Sequence, residues 1–112
     1  VHAGLLPEVA EALAEAGEGP LKARALNAVV RGMIRGPAPA VRAEPSELLS
    51  DPGPFWTRRL ALDRGDGVCR DLERSLGAFG ASRMVVGHTP NEDGRVHERC
   101  GGRLILADTF IS

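Results

Sequence analysis

Arg83-Met84-Val85-Val86-Gly87-His88-Thr89-Pro90 is the stretch that decides the fold. Met84, Val85 and Val86 are apolar and partly β-branched, which predicts a short buried strand. Gly87 and Pro90 stop it abruptly and leave His88 at the strand's C-terminal end. Upstream, Cys69, Leu72, Leu76 and Phe79 recur at i, i+3, i+7 and i+10, the spacing of one helical face. Asp66 is placed to cap that helix and Gly80 to end it. A helix feeding a strand that breaks at a tight turn is the unit of a layered α/β fold, where ligands collect at strand C-termini.

The rest of the chain extends this unit. Asn91-Glu92-Asp93-Gly94 reads as a turn. Arg95–Cys100 and Arg103–Asp108 read as two strands joined by Gly101-Gly102, a strong hairpin signal. Pro37, Pro39, Pro45, Pro52 and Pro54 mark 36–54 as an irregular connection, with one helical turn at Ser46–Ser50. Before it, Pro20 opens and Gly36-Pro37 closes a helix over 20–35, with Leu26, Val29, Val30, Met33 and Ile34 on one face. Pro7 opens another over 7–16, carrying Val9, Leu13 and Ala16 and stopped by Gly17. Gly17-Glu18-Gly19 joins the two as a helical hairpin. Residues 1–6 predict the end of a strand, then a turn. No repeats or low-complexity tracts interrupt this order.

With 112 residues, the chain is one domain's worth, able to bury roughly two thirds of its unfolded surface. A hydrophobic fraction of 43% and a charged fraction of 26% are those of an ordinary globular protein. Lys and Arg total 14 against 15 acidic residues, a net charge of -1. No nucleic acid or anionic membrane partner is expected from that balance. No apolar run nears the ~20 residues that cross a bilayer. Lys22 is the only lysine, so the positive charge is carried by arginine, whose planar fork suits phosphate and carboxylate. Cys69 and Cys100 are too few for a disulfide scaffold and read as reduced core thiols, a bridge between them being a matter for geometry. The chain opens at Val1-His2-Ala3-Gly4 with no methionine and closes four residues after a good strand. Both ends look cut. A cytoplasmic location is the expectation.

Chemistry is expected at the histidines. His2 and His88 each follow an apolar strand residue or run and precede a tight turn. Imidazoles at neighbouring strand ends could share one metal ion; their distance in sequence leaves two unrelated polar histidines as the alternative. His97 falls mid-strand among Arg95, Glu98 and Arg99 and reads as solvent-facing. Phosphate-loop, dinucleotide and zinc-cysteine templates are absent from the sequence.

Four segments carry a resemblance. Val1-His2-Ala3-Gly4-Leu5-Leu6-Pro7 looks like the His-Gly-Gly-Leu-x-Pro segment of calcineurin-like metallophosphoesterases. Gly53-Pro54-Phe55-Trp56-Thr57-Arg58, Arg83 to Pro90, and Cys100-Gly101-Gly102-Arg103 through Ser112 are similar to blocks of the Shewanella-like protein phosphatase branch. They occur in family order and span nearly the whole chain. The resemblance implies the C-terminal half of a single α/β/β/α sandwich domain, residues 1–112, and a two-metal phosphoester hydrolase. Its substrate would be a phosphorylated small molecule or a phosphoprotein, with phosphoserine and phosphothreonine as candidates.

By the family's pattern, His2 and His88 would bind the second of two divalent cations, Mn, Fe or Zn. Arg58 would grip a phosphate oxygen; a surface ion pair is the alternative for Arg58 and Arg59. Trp56 would pack to fix its loop, substrate contact being the alternative. Pro90 occupies the slot of a further histidine found in many of these enzymes. Gly-Asp-x-His, Gly-Asp-x-x-Asp-Arg-Gly and Gly-Asn-His-Glu, which supply the first metal's ligands and the general acid, do not occur here. The expectation is therefore a piece, inactive alone, that needs an N-terminal half as partner. Ala3 and Phe110 each stand where the family carries Gly. A second reading is a non-catalytic interaction module, built on the helical hairpin and open strand edges.

Overall fold

The computed structural model describes residues 2–14, 21–35 and 50–110. It contains helices α1 (Pro7–Ala14), α2 (Leu21–Arg35), α3 (Arg59–Leu62) and α4 (Gly67–Phe79), and strands β1 (Met84–Val86), β2 (His97–Arg99) and β3 (Leu104–Leu106). The Gly17 stop, the Gly17-Glu18-Gly19 link, the Pro20 opening, the Gly36-Pro37 end and all but the last residue of the turn expected at Ser46–Ser50 lie outside the described residues. So do the side chains of Val29, Met33 and Ile34.

The sheet runs β1-β3-β2. β1 and β3 are parallel, with Met84 opposite Leu104 and Val86 opposite Leu106. β2 and β3 form the antiparallel hairpin, His97 opposite Leu106. The chain is thus of mixed α/β class. Because β1 and β3 run the same way, their C-terminal ends emerge together, and His88 and Asp108 leave the sheet on the same side.

α4 is formed by its apolar face. Val68, Leu72 and Leu76 are buried at i, i+4 and i+8. Val68 takes the first position on that face, where the sequence suggested Cys69, which is only half-buried. Gly80 ends the helix in the left-handed region, φ 62°, its N–H returning to the carbonyls of Gly77 and Leu76. Asp66 precedes the helix but makes no side-chain capping bond, contrary to expectation.

α1 lies against α4 and shares its core. Leu6, Ala10 and Leu13 join Leu60, Leu72, Leu76, Met84, Val86, Leu104 and Leu106 in one cluster. Each fully buried leucine contributes roughly 1.5–3 kcal/mol of transfer free energy. Arg74 of α4 forks onto both carboxylate oxygens of Glu11 on α1 at 3.0 and 2.8 Å. Both partners are exposed, so the pair adds at most about 1 kcal/mol.

The strands are shorter than expected. β1 buries Met84 and Val86, while Val85 on the opposite face is half exposed. The hairpin strands contract to three residues each, and at their open end one side chain bonds main-chain carbonyls. Asn91 Nδ2 donates to the carbonyls of Arg95 and Leu106. Cys100, Gly101 and Gly102 all have positive φ, 53°, 64° and 77°, which is why two glycines stand at the turn. Among the described residues, no helix is long and apolar enough to cross a membrane.

Cys69 and Cys100 are joined, correcting the expectation of free thiols. α4 and the hairpin turn bring their Cα atoms to 5.4 Å, within bridging range. Sequence spacing carried no sign of that approach.

Candidate functional site

The site is built where three segments meet at the end of β1. The first is residues 2–6, expected to be a strand end. They form no strand. The N–H groups of Ala3 and Gly4 both donate to the Pro54 carbonyl, at 2.9 and 3.4 Å, which bends the segment toward the loop before α3. Gly4 has φ +150°, and a Cβ there would stand 3.1 Å from Leu60 Cδ1 and 3.4 Å from Thr57 Cγ2. A side chain there would be strained in conformation and would press on Leu60. His2 is then pinned by its main chain: the Gly87 N–H donates to its carbonyl at 2.6 Å.

The second segment is the turn after β1. His88 has φ 65°, a conformation few non-glycine residues adopt, though histidine is among those enriched there. Its ring faces that of His2. His2 Nε2 and His88 Nδ1 are 3.2 Å apart, one ring donating and the other accepting. The ring centroids are 4.9 Å apart and tilted by 57°. The structure therefore brings together two residues that 86 positions separate.

The third segment is the loop 50–58. Arg58 Nη1 donates to the main-chain carbonyl of His88 at 3.1 Å. Arg58 also lines a groove with Ser50, Asp51 and Trp56. Arg59 behaves differently. It sits between Glu8 and Asp71, at 3.0 and 2.8 Å, as an ordinary surface ion bridge. Trp56 is 56% exposed and stands edge-on to the His88 ring, centroids 5.4 Å apart. It packs against the turn at His88 and leaves its other side open to solvent.

The electrostatics keep His88 neutral. Its pKa is held below the ordinary imidazole value, first by burial of the ring, then by the Arg58 guanidinium and by His2. Asp108 and the Trp56 main chain act in the opposite sense, more weakly. A neutral imidazole is the form that ligates metals. Among the described residues, His88 Nε2 and the neighbouring Thr89 Oγ1 are buried with no hydrogen-bond partner. Such atoms cost free energy where no ligand or water meets them.

Asp108 was not singled out from the sequence. It lines the same cleft as His2 and His88. The signal available was topological: a residue just after β3 shares the end of the sheet with a residue just after β1, provided the two strands are parallel. His97 is exposed, as expected, and both oxygens of Asp93 lie 2.9 Å from its Nε2. That hydrogen bond, with one from the Arg95 N–H, draws the Asp93 pKa below the usual carboxylate value.

The donor pair suits a divalent cation. With metal–nitrogen distances of roughly 2.0–2.1 Å, nitrogens 3.2 Å apart subtend about 100° at a shared ion. That lies between the octahedral and tetrahedral angles. Imidazole nitrogens suit Mn, Fe or Zn. Among the described residues, no group of three or more His, Cys, Asp or Glu is placed to hold one ion. The two imidazoles alone are fewer donors than a complete coordination shell requires.

No family model matches this chain. No solved structure matches it. An uncharacterized protein of Schizosaccharomyces pombe is 37% identical over 59 residues. The match covers 53% of this chain and 18% of that relative, so the chain spans well under two thirds of the relative's length.

Proposed function

We propose that the chain carries part of the site of a metal-dependent phosphoester hydrolase, the C-terminal half of a metallophosphoesterase sandwich. The observation that supports this reading is the 3.2 Å approach of His2 Nε2 to His88 Nδ1 at the C-terminal end of β1. In it, His2 and His88 hold the second of two divalent cations, Mn, Fe or Zn. The cations, when bound, acidify water and neutralise phosphoryl oxygens.

The chain's own residues do the rest of what it can do. Arg58 is tethered by one terminal nitrogen to the His88 carbonyl, and its remaining donors, which meet no partner among the described residues, would take a phosphoryl oxygen of a phosphomonoester. Burial and the nearby Arg58 charge keep His88 deprotonated and ready to bind metal. The tight turn at His88 fixes the direction of its ring. The substrate is a phosphorylated small molecule or a phosphoprotein, phosphoserine or phosphothreonine among them.

Carboxylate ligands, the first metal and a general acid come, in this reading, from an N-terminal half. The chain alone is inactive in this reading, because it lacks the three motifs that supply the first metal's ligands and the general acid. A cytoplasmic setting belongs to the same reading; there the Cys69–Cys100 bridge would face a reducing thiol pool.

The test is reconstitution. The chain is mixed with an N-terminal half bearing the three acidic motifs, and Mn-dependent cleavage of p-nitrophenyl phosphate is followed. Activity that appears only in the mixture, and is lost with His88→Ala, supports the reading. A mixture that assembles and binds Mn²⁺ but stays inactive removes it.

A further inference from the structure

Arg99 closes β2, and its guanidinium is spent on main chain. Nη1 donates to the carbonyls of Leu60 and Ala61 at 2.7 and 3.1 Å. Nη2 donates to the carbonyl of Asp63. Arg59, Arg74 and Arg103 meet carboxylates instead, and Arg58 reaches a single carbonyl. The three carbonyls belong to the end of α3, where a single turn of helix leaves them without internal partners. A cation there also meets the negative end of the helix.

α3 begins immediately after Arg58, and hydrogen bonds run from one end to the other. Arg99 donates to the Ala61 carbonyl. The Ala61 N–H donates to the Arg58 carbonyl at 3.1 Å, and the Leu62 N–H does so at 2.8 Å. Arg58 Nη1 donates to the His88 carbonyl. Arg99 is itself held at both sides. It pairs with Leu104 in the hairpin, and the next residue, Cys100, is bonded to Cys69 of α4. The clamp therefore ties α3 to the sheet and to α4 at once.

We propose that Arg99 is the positioning residue for Arg58: by gripping the far end of α3 it sets where the Arg58 guanidinium stands over the turn at His88. The inference rests on the reading that Arg58 holds a phosphoryl oxygen. Arg99 touches neither phosphate nor metal in this scheme. Lysine at the same place offers one compact ammonium, which cannot reproduce the fork across three carbonyls.

The test uses the full 112-residue chain, with ¹⁵N-resolved signals of the Arg58 guanidinium and of the His2 and His88 rings. The probes are inorganic phosphate in the presence of Mg²⁺, and Mn²⁺ alone. Wild-type protein should show an Arg58 signal that moves on phosphate addition and His2 and His88 signals that Mn²⁺ broadens. Arg99→Gln should weaken the phosphate response of Arg58 about tenfold, with Arg99→Lys intermediate and Mn²⁺ broadening equal in all three. If Arg99→Gln fails to fold, the Arg99→Lys loss with its fold intact decides. An unchanged Arg58 response in a folded Arg99 variant overturns the positioning role alone. Absence of Mn²⁺ broadening, or of any phosphate response in wild type, overturns the site reading and the positioning role with it.

Discussion

Arg58 and His88 are joined by a hydrogen bond from the guanidinium of one to the carbonyl of the other, 3.1 Å long. The bond links the loop before α3 to the turn after β1. It also brings a positive charge to the imidazole, which is one reason His88 stays neutral.

His88→Gly removes the ring while suiting the left-handed backbone found there. Mn²⁺ binding by the chain, followed by calorimetry, should be lost. The urea midpoint should move little. Retained Mn²⁺ affinity in this variant removes His88 from the ligand set.

Arg58→Ala in a reconstituted enzyme should lower kcat/KM for p-nitrophenyl phosphate by roughly 10–100-fold, the effect of losing a charged hydrogen bond. Arg59→Ala should change it little, because Arg59 is committed to Glu8 and Asp71. Equal losses in both variants would mean that the loop, not the individual guanidinium, matters.

Cys69→Ser with Cys100→Ser removes a bridge that closes a separation of 31 residues. A loop of that size corresponds to a stability loss of about 3–4 kcal/mol. Urea unfolding of the oxidised protein against the double variant measures it. Addition of dithiothreitol to wild type should give a similar loss and leave the variant unmoved.

Phe110 has φ 61° and is 61% exposed. The left-handed backbone costs a residue with a Cβ about 1–2 kcal/mol. Phe110→Gly should therefore stabilise the chain by about 1 kcal/mol after its own entropy cost, and Phe110→Ala should not. Equal midpoints for the glycine and alanine variants would locate no strain at this turn.

Asp93 provides the pH test. His97 holds its pKa below the usual carboxylate value of 3.8. A carboxylate depressed in the folded state contributes stability above its unfolded pKa, and that stability is lost as pH falls through the folded value. Carboxyl-carbon titration should find Asp93 below 3.8 in wild type and moved upward in His97→Ala.

Local pattern explains why much of this fold was legible. The apolar spacing of Leu72 and Leu76, the stop at Gly80 and the glycine pair at 101–102 act over a few residues, where periodicity and backbone freedom decide the outcome. The strand at Met84–Val86 and its abrupt end were likewise readable, and with them His88 as a candidate. Strand lengths were not, and at the open end of the hairpin Asn91 reaches across to the Leu106 carbonyl.

The sequence by itself determined the residue types at the site: two imidazoles and an arginine, each beside a turn. Tertiary structure decided which of them meet. It placed His2 against His88, drew Arg58 to the same turn while sending Arg59 to Glu8 and Asp71, added Asp108 through the parallel pairing of β1 and β3, and joined Cys69 to Cys100. The reason is physical. Hydrophobic periodicity fixes which face of an element is buried, but contacts between residues distant along the chain depend on strand direction, crossover and the packing of one element on another, and none of these leaves a local signature.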